Sequence, residues 1–280
     1  MGGPFLSHPI HMMRILGLAV GTAGATLLIR ERQRRLVAER LAAAVLETLL
    51  RAIDANDSET GEHVRRVARY ALILAEAADL DPTEQRNVER IALFHDVGKI
   101  HEALFDIIHD HTKLTVAERD AVRTHPARGA DVLAPLAAFY PELSKGVLSH
   151  HERWDGTGYP RGIRAAAIPL SARIVAIADA FDAITYHRRY RSAQSAGDAA
   201  EKIMDGRGTQ FDPDLVDLFL SPPVFEGVIA ALRDDHGPQP RRAPKRTGAD
   251  ATRRPDLTFR WRTTTTAPRV PGSEPRRSPG

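Results

Sequence analysis

The sequence predicts an all-α protein, and three features of the chain support this prediction. From residue 56 to about residue 232, apolar residues recur at helical spacing, as in the stripe formed by Val64, Val67, Ala71, Leu74 and Ala75. No stretch alternates apolar and polar residues for long enough to indicate a β-strand. Histidines and aspartates are scattered along the same helical stretches, so several helices would each contribute a side chain to one site.

Length and composition indicate one globular domain with appendages. The chain has 280 residues, of which 42% are hydrophobic and 27% are charged. Its formal net charge of +3 is unevenly spread, because the residues from Asp234 onward hold eleven Arg or Lys against five Asp or Glu. The rest of the chain is therefore slightly acidic. There is no cysteine, which excludes disulfides, thiolate metal sites and thiol catalysis.

Residues 1–30 are predicted to be a membrane anchor. Residues 15–29 carry no charge and are bracketed by Arg14 and Arg30, whose side chains can lengthen a segment that is short of the roughly 20 residues needed to span a bilayer. The basic residues that follow would hold the next domain at the cytoplasmic face of the membrane. Two alternatives are a secretory signal segment and a helix of a soluble cytoplasmic protein.

Residues 31–55 are predicted to form a long linker helix. The segment is rich in Ala, Leu, Arg and Glu, and Leu41, Val45, Leu49 and Ala52 or Ile53 fall on one face. Such a helix often pairs with its twin, so residues 31–53 are a candidate homodimer contact. Packing of the same face on its own domain is the alternative.

Residues 56–232 are predicted to form the catalytic domain, and residues 233–280 a disordered tail. The tail is rich in Pro and Arg and holds the run of threonines from 263 to 266. Such tails can touch nucleic acid or acidic lipid, but a solvated tail is the simpler interpretation. No specific nucleic-acid partner is expected.

Two segments hold closely spaced groups that can bind metal ions. His95 and Asp96 are neighbours at the end of an apolar stripe, and neighbours on a helix point about 100° apart, so they could bind different metal ions with Asp96 as a bridge. On the same helix Lys99 would share a face with His95 and could reach a substrate phosphate. His150 and His151 lead into a turn rich in glycine that can bend closely around a ligand.

Together these residues predict a metal centre with several ions. Imidazole and carboxylate without thiolate favour iron, manganese or zinc over a soft metal. Buried histidines on apolar helices would otherwise be costly. The candidate ligands are Glu59, His63, His95, Asp96, His125, His150, His151 and Asp179.

The motifs around these residues resemble those of the HD-GYP family of HD-superfamily phosphodiesterases. The matching segments are residues 59–63 (ETGEH), 94–100 (FHDVGKI), 125–126 (HP), 150–160 (HHERWDGTGYP) and 178–183 (ADAFDA). The resemblance covers about residues 50 to 220. It implies an HD-type helical core with additional C-terminal helices, preceded here by a long N-terminal helix. It also implies two or three divalent metal ions, iron or manganese, and cyclic di-GMP as the substrate in bacterial second-messenger signalling.

The resemblance also assigns roles to individual residues. His95, Asp96 and Lys99 would be catalytic, with Asp96 bridging two ions, and Glu59 would help to hold a third. Metal-activated hydroxide would attack phosphorus, and the ribose 3′ oxygen would leave to give pGpG and, after a second cut, GMP. The implied substrate-binding residues are Lys99, Gly158, Tyr159, Pro160, Arg188 and Arg191.

One segment departs from the family pattern, and it bears on the choice between functions. Residues 101–114 lack the prolines and the glycine that the family usually shows after the Lys99 position. The alternatives to a phosphodiesterase are a non-catalytic receptor for cyclic di-GMP and an HD-type enzyme with another activity. The latter class includes phosphohydrolases of other nucleotides and di-iron oxygenases. The complete ligand set favours the phosphodiesterase.

Overall fold

A computed structural model of the chain describes residues 8–100, 115–186 and 193–235, with side chains described from residue 27 onward except at Asn56. In these ranges the chain forms α-helices and short 3₁₀ turns, and no strand is present. The prediction of an all-α fold is therefore confirmed. The helices are α1 (His8–Asn56), α2 (Ser58–Ala77), α3 (Pro82–Phe94), α4 (Val116–Val122), α5 (His125–Leu133), α6 (Leu143–Ser149), α7 (Leu170–Thr185), α8 (Ala196–Asp205), α9 (Pro213–Phe219) and α10 (Pro222–Asp235).

Local sequence explains where several helices begin. Asp81 accepts hydrogen bonds from the backbone of Thr83 and Glu84, while the Glu84 side chain accepts from the backbone of Asp81. This reciprocal capping satisfies amide groups that have no partner within a helix. The same arrangement starts α4 at Thr115 and α8 at Ser195.

Helices α2 and α7 lie at the centre of the core. One face of α2 is fully buried at Val67, Ala71 and Leu74, and α2 packs against α3, α7, α10 and the end of α1. In the contact between α2 and α7, the ring of Phe181 packs edge to face against the ring of Tyr70, with ring centroids 5.2 Å apart. This packing holds the middle of α7, and hence its aspartates, against the first turns of α2.

The long helix α1 runs through both predicted N-terminal segments, and among its side chains described from residue 27 onward the buried ones lie in its last third. Leu46, Leu50 and Ile53 are buried, whereas Val37 and Leu41 are 64% and 65% exposed. Of the apolar face that the sequence indicated, Ile53 packs on the domain, whereas Leu41 and Val45 stay exposed. Pairing with a second copy through residues 31–53 stays a prediction.

No single helix within the described residues is both long and apolar enough to cross a membrane. One bent pair, α9 with α10, meets the criterion by length and composition only. Anchoring through residues 15–29 stays a prediction. At the other end of the chain, α10 continues to Asp235, so the first three residues of the predicted tail are helical; residues 236–280 lie outside the described part.

A buried ion pair joins α2 to α7. Arg66 donates from Nε to Asp182 Oδ1 at 2.7 Å and from Nη2 to Oδ2 at 3.0 Å. Both residues are buried, at 4% and 1% exposure. The second oxygen of Asp182 also lies 2.7 Å from His63 Nδ1. Two side chains of α2 therefore depend on one carboxylate of α7.

We expect Asp182→Ala to lower the free energy of unfolding by about 3–5 kcal/mol, because it leaves the Arg66 guanidinium buried without a counter-charge. Asp217→Ala is the matched control. Asp217 also forms two hydrogen bonds to an arginine, Arg207, but the pair is exposed, so its loss should cost at most about 1 kcal/mol. Urea unfolding of both variants checks this. Equal losses would contradict the role given to Asp182.

A close backbone contact fixes the 3₁₀ turn Val97–Ile100 against the start of α5. A Cβ on Gly98 would lie 2.1 Å from the carbonyl oxygen of His125 and 2.6 Å from the nitrogen of Gly129. Because both neighbours are backbone atoms, they cannot move aside as a side chain could. Gly98 therefore sets how closely the turn approaches α5.

We expect Gly98→Ala to destabilise the protein by about 1–3 kcal/mol, the usual cost of overpacking. Gly197→Ala is the control, because its nearest neighbour is Ser195 Oγ at 3.6 Å and alanine raises helix propensity there. The melting temperature should fall for the first variant and hold or rise for the second. An unchanged melting temperature for Gly98→Ala would contradict the close approach.

Candidate metal centre

Seven of the eight predicted ligands converge at one place and form two groups. In each group the candidate ligand atoms lie within 4.8 Å of one another. We call the seven residues the metal cluster. The first group consists of Asp96, His125, His150 and His151, and the second of His63, His95 and Asp179.

The carboxylate of Asp96 connects the two groups. Its Oδ1 lies 3.3 Å from His125 Nε2 in the first group. Its Oδ2 lies 3.4 Å from His95 Nε2 and 3.9 Å from His63 Nε2 in the second. Each oxygen therefore faces a different group, which is the arrangement that a bridging carboxylate requires.

Asp179 completes the second group from α7. Its Oδ1 lies 3.3 Å from His63 Nε2 and 3.9 Å from His95 Nε2. Asp179 and Asp182 stand three residues apart on α7, so they share a face of the helix. One of them meets Nε2 of His63, and the other meets Nδ1 of the same ring.

Three histidines are oriented in the same way by the backbone. His95, His125 and His150 each place Nδ1 within 2.6–2.8 Å of the carbonyl oxygen three residues earlier. A carbonyl oxygen only accepts, so Nδ1 donates and the neutral ring carries its lone pair on Nε2. That lone pair points into the metal cluster. Fixing the tautomer through the second nitrogen is typical of metal-binding histidines.

Several atoms of the metal cluster lack the partners that burial demands. Among the described residues, His95 Nε2 and Asp96 Oδ1 are buried without a hydrogen bond. His125 and His150 place their Nε2 atoms 3.1 Å apart, although the orientation of both rings gives both atoms lone pairs. A buried polar atom without a partner costs about 1–3 kcal/mol. Divalent cations between these atoms would satisfy all of them, so the residues fit a metal centre.

The protonation states of the metal cluster also suit cations. Burial lowers the pKa of His125 to about 3 and that of His151 to about 4, and it lowers the pKa of His150 as well. These imidazoles are therefore neutral at pH 7 and able to bind metal. Burial alone would raise the pKa of Asp96, but Lys99, His95 and His125 outweigh it and hold that pKa well below the ordinary value.

His63 differs from the other histidines. Burial would lower its pKa, but hydrogen bonds to Asp179 and Asp182 outweigh burial and raise the pKa to about 9. The interaction with His63 in turn lowers the pKa of Asp179 against the effect of burial. Without metal, His63 is thus a cation held between two carboxylates.

Lys99 reaches the metal cluster by a route that the sequence did not predict. The expectation that His95, Asp96 and Lys99 share one helix is wrong, because α3 ends at Phe94 and a 3₁₀ turn begins at Val97. The tighter turn brings Lys99 Nζ to within 2.7 Å of Asp96 Oδ2. The lysine side chain stays 30% exposed, so its ammonium is accessible to a bound substrate.

The turn that contains Gly158, Tyr159 and Pro160 folds back on the metal cluster. The amide of Tyr159 donates to the carbonyl of His151 at 3.2 Å, and the two rings lie 4.9 Å apart. A Cβ on Gly158 would lie 2.3 Å from the nitrogen of Arg153, so only glycine permits this approach. Buried Glu152 holds the other end of the turn by accepting from the amide of Arg161 at 2.8 Å.

One predicted ligand lies outside the metal cluster, and two predicted substrate-binding residues lie outside the described part of the chain. Glu59 is half-buried in the first turn of α2 and belongs to neither group of ligand atoms. Its role as a ligand of a third ion stays a prediction. Arg188 and Arg191 lie outside the described residues, as does the divergent segment 101–114.

Sequence reasoning gave no role to Arg66, Asp182 or Glu152. A usable signal existed for the first two, since Arg66 follows His63 by three residues and Asp182 follows Asp179 by three. This spacing places each on the same helix face as a ligand. No comparable signal marked Glu152 as a support of the turn, since its partner is a backbone amide.

Comparisons with known proteins show which family the chain belongs to. Residues 47–215 match the family model described as HD domain. The chain is 36% identical over 189 residues to 3′3′-cGAMP-specific phosphodiesterase 2 of Vibrio cholerae, covering 66% of this chain and 36% of that protein. It is 38% identical over 177 residues to the cyclic di-GMP phosphodiesterase response regulator RpfG of Xanthomonas campestris, covering 62% and 46%.

Among solved structures, the chain resembles a cyclic GMP-AMP-specific phosphodiesterase of V. cholerae (V-cGAP3). The TM-score is 0.49 and the identity 24%, over 68% of this chain and 52% of that one. The chain spans about a third to a half of the length of the curated relatives named above. The family match covers more than half of the chain and includes the whole metal cluster. The recognition made from the motifs is confirmed, and the chain belongs to the HD domain family.

Proposed function

We propose that the chain is a metal-dependent phosphodiesterase that hydrolyses cyclic di-GMP to pGpG or GMP. The observation that supports this most directly is the pair of ligand groups joined through Asp96. Two adjacent cation sites beside an open turn suit the displacement of a phosphate ester, in which attacking and leaving oxygens both need charge neutralisation.

The names of relatives support the choice of substrate. Several curated proteins at 33–38% identity are called cyclic di-GMP phosphodiesterases. Others are called 3′3′-cGAMP-specific phosphodiesterases at 35–36% identity. A second candidate substrate is therefore 3′3′-cGAMP, which has the same two-phosphate ring with one different base.

In this proposal, one set of residues binds the cations and another binds the substrate. Bound divalent ions would supply a water nucleophile near neutral pH and positive charge beside the phosphoryl oxygens. Neutral His125, His150 and His151 bind without competing protons. Lys99, held by Asp96, offers its ammonium to the developing negative charge on phosphorus. Tyr159 borders the space beside His151.

The chemistry of the ligands bears on which metal is bound. The two groups offer imidazole nitrogens and carboxylate oxygens, and the chain has no cysteine. This set suits iron and manganese, with zinc as the closest competitor. We propose iron or manganese as the resident metal.

We expect the full chain, loaded anaerobically with Fe(II) or Mn(II), to convert cyclic di-GMP to pGpG or GMP. Asp96→Asn should lose more than about 100-fold in turnover, because even residues behind the ligands contribute 10–100-fold in metal sites. Asp131→Asn, the same change at an exposed carboxylate on α5, should leave turnover unchanged. Product analysis by chromatography is the measurement, with 3′3′-cGAMP and cyclic di-AMP tested alongside.

Different results would contradict this proposal in recognisable ways. Tight binding of cyclic di-GMP without cleavage by the metal-loaded protein would point to the receptor function. Cleavage of 3′3′-cGAMP alone would keep the reaction and replace the substrate. An equal loss of turnover in Asp96→Asn and Asp131→Asn would show that the metal cluster does not take part in the reaction.

We expect metal binding at pH 7 to release about one proton. His63, with a pKa of about 9, must lose its proton before Nε2 can bind a cation, whereas the low pKa values of His125 and His151 mean that these rings release none. Calorimetric titration with Mn(II) in buffers of different ionisation enthalpy counts the protons. His63→Ala should release about one proton fewer than the unsubstituted chain.

The direction of the pH effect follows from the raised pKa. The ion pairs of protonated His63 stabilise the metal-free protein fully below the ordinary histidine pKa, and this stabilisation is lost as the pH rises through about 9. The apparent affinity for metal in the second group should therefore rise about tenfold per pH unit up to pH 9. An affinity that does not change between pH 6 and 8 would show that His63 is not a ligand.

A further inference from the structure

The guanidinium group of Arg123 lies over the ring of Tyr159, with Cζ 4.7 Å from the ring centroid. Arg123 follows the last residue of α4 and stands two residues before the ligand His125. It is exposed. A flexible arginine is thus held at a defined place beside the metal cluster by an aromatic ring.

Within the described part of the chain, no carboxylate pairs with Arg123. Other arginines near the metal cluster have polar partners within the protein: Arg66 pairs with Asp182, and Arg161 contacts Glu152 and Ser149. A cation–π contact does not neutralise the charge of the guanidinium group, which carries five N–H donors. Arg123 can therefore still bind an anion through hydrogen bonds.

The metal cluster opens toward this arginine. Of its seven members, His151 and Asp179 are the two that are not fully buried. The ring of His151 lies 4.9 Å from that of Tyr159, which in turn lies under Arg123. Tyr159 therefore stands between the open side of the metal cluster and a cation for which the described residues offer no counter-charge.

A cyclic dinucleotide has two phosphates, linked through one ribose on each side of the ring. Only one phosphate can lie over the metal cluster and Lys99 while it is cut. The other must lie about one nucleotide away, still charged and in need of a donor. Arginine recognises phosphate through two parallel hydrogen bonds, which makes it well suited to this position.

We propose that Arg123 binds the phosphate of the substrate that is not being cut, and so selects substrates with two phosphates. This inference rests on the proposed function. Arg123 acts here as a substrate-binding residue that contributes to affinity, whereas the groups at the reacting phosphorus are the metal cluster and Lys99. Tyr159 has two tasks in this arrangement, since it borders the reaction site and positions the arginine.

A purely structural role for Arg123 leads to different expectations. A basic residue after the end of α4 interacts favourably with the helix dipole, and the contact with Tyr159 could simply brace the turn. Either role would affect all substrates equally, or would affect only the melting temperature. A phosphate contact affects substrates according to how many phosphates they carry.

The test compares Arg123→Gln with Arg119→Gln, an exposed arginine one turn earlier on α4. Turnover of cyclic di-GMP and of bis(p-nitrophenyl) phosphate, which has one phosphate, is measured in the Mn(II)-loaded full chain. For Arg123→Gln we expect the KM for cyclic di-GMP to rise about 10-fold or more, the effect of one charged hydrogen bond, with kcat nearly unchanged. Both constants for the one-phosphate substrate should stay the same.

Arg123→Lys separates charge from stacking. It should recover part of the KM for cyclic di-GMP, because the ammonium still attracts phosphate. An unchanged KM in Arg123→Gln, or equal losses on both substrates, would overturn the inference. A wild-type chain that cleaves bis(p-nitrophenyl) phosphate but no cyclic dinucleotide would overturn the proposed function together with this inference, and so is distinguishable from failure of Arg123 alone.

Discussion

The carboxylate of Asp96 is the constraint on which the rest of the structure depends. It is buried, it is ionised, and its two oxygens face histidines from both ligand groups. An isolated buried carboxylate would be too costly to keep charged. The ammonium of Lys99, 2.7 Å from Asp96 Oδ2, compensates for part of that cost, and cations would compensate for the remainder. The fold therefore has to bring all these groups to one point.

The helix ends provide this convergence. His95 and His150 each follow the last residue of a helix, and His125 begins one. At such positions a ring can turn back and donate to a carbonyl three residues earlier, so the backbone itself orients the ligand. His63 lies inside α2, where no carbonyl is available to its ring, and Asp182 takes that role. His63, the one histidine of the metal cluster in the interior of a helix, thus depends on a side chain for its orientation.

Much of this site could be predicted from the sequence, and the failures have physical causes. The ligands could be identified because histidine and aspartate are costly to bury on apolar helices unless a cation or a polar partner compensates. The path of the chain at Lys99 could not be predicted, because hydrophobic periodicity does not reveal where an α-helix ends and a 3₁₀ turn begins. Nor could periodicity show which residues of α1 are buried, since Leu41 and Leu46 fit helical spacing equally well and tertiary packing buries only Leu46 of the two.

Residues that follow the candidate ligands in the sequence motifs have structural roles of their own. Asp179 contributes a carboxylate to the second group of the metal cluster, and Asp182, one turn later, binds both His63 and Arg66. In the same way, the turn after His151 places Tyr159 against the ring of that ligand and under Arg123. Each of these ligands is followed within one turn, or a short loop, by a group that fixes its position or shapes the space beside it. Substitutions in those following groups would leave the candidate ligands unchanged and alter the space in which a substrate would bind.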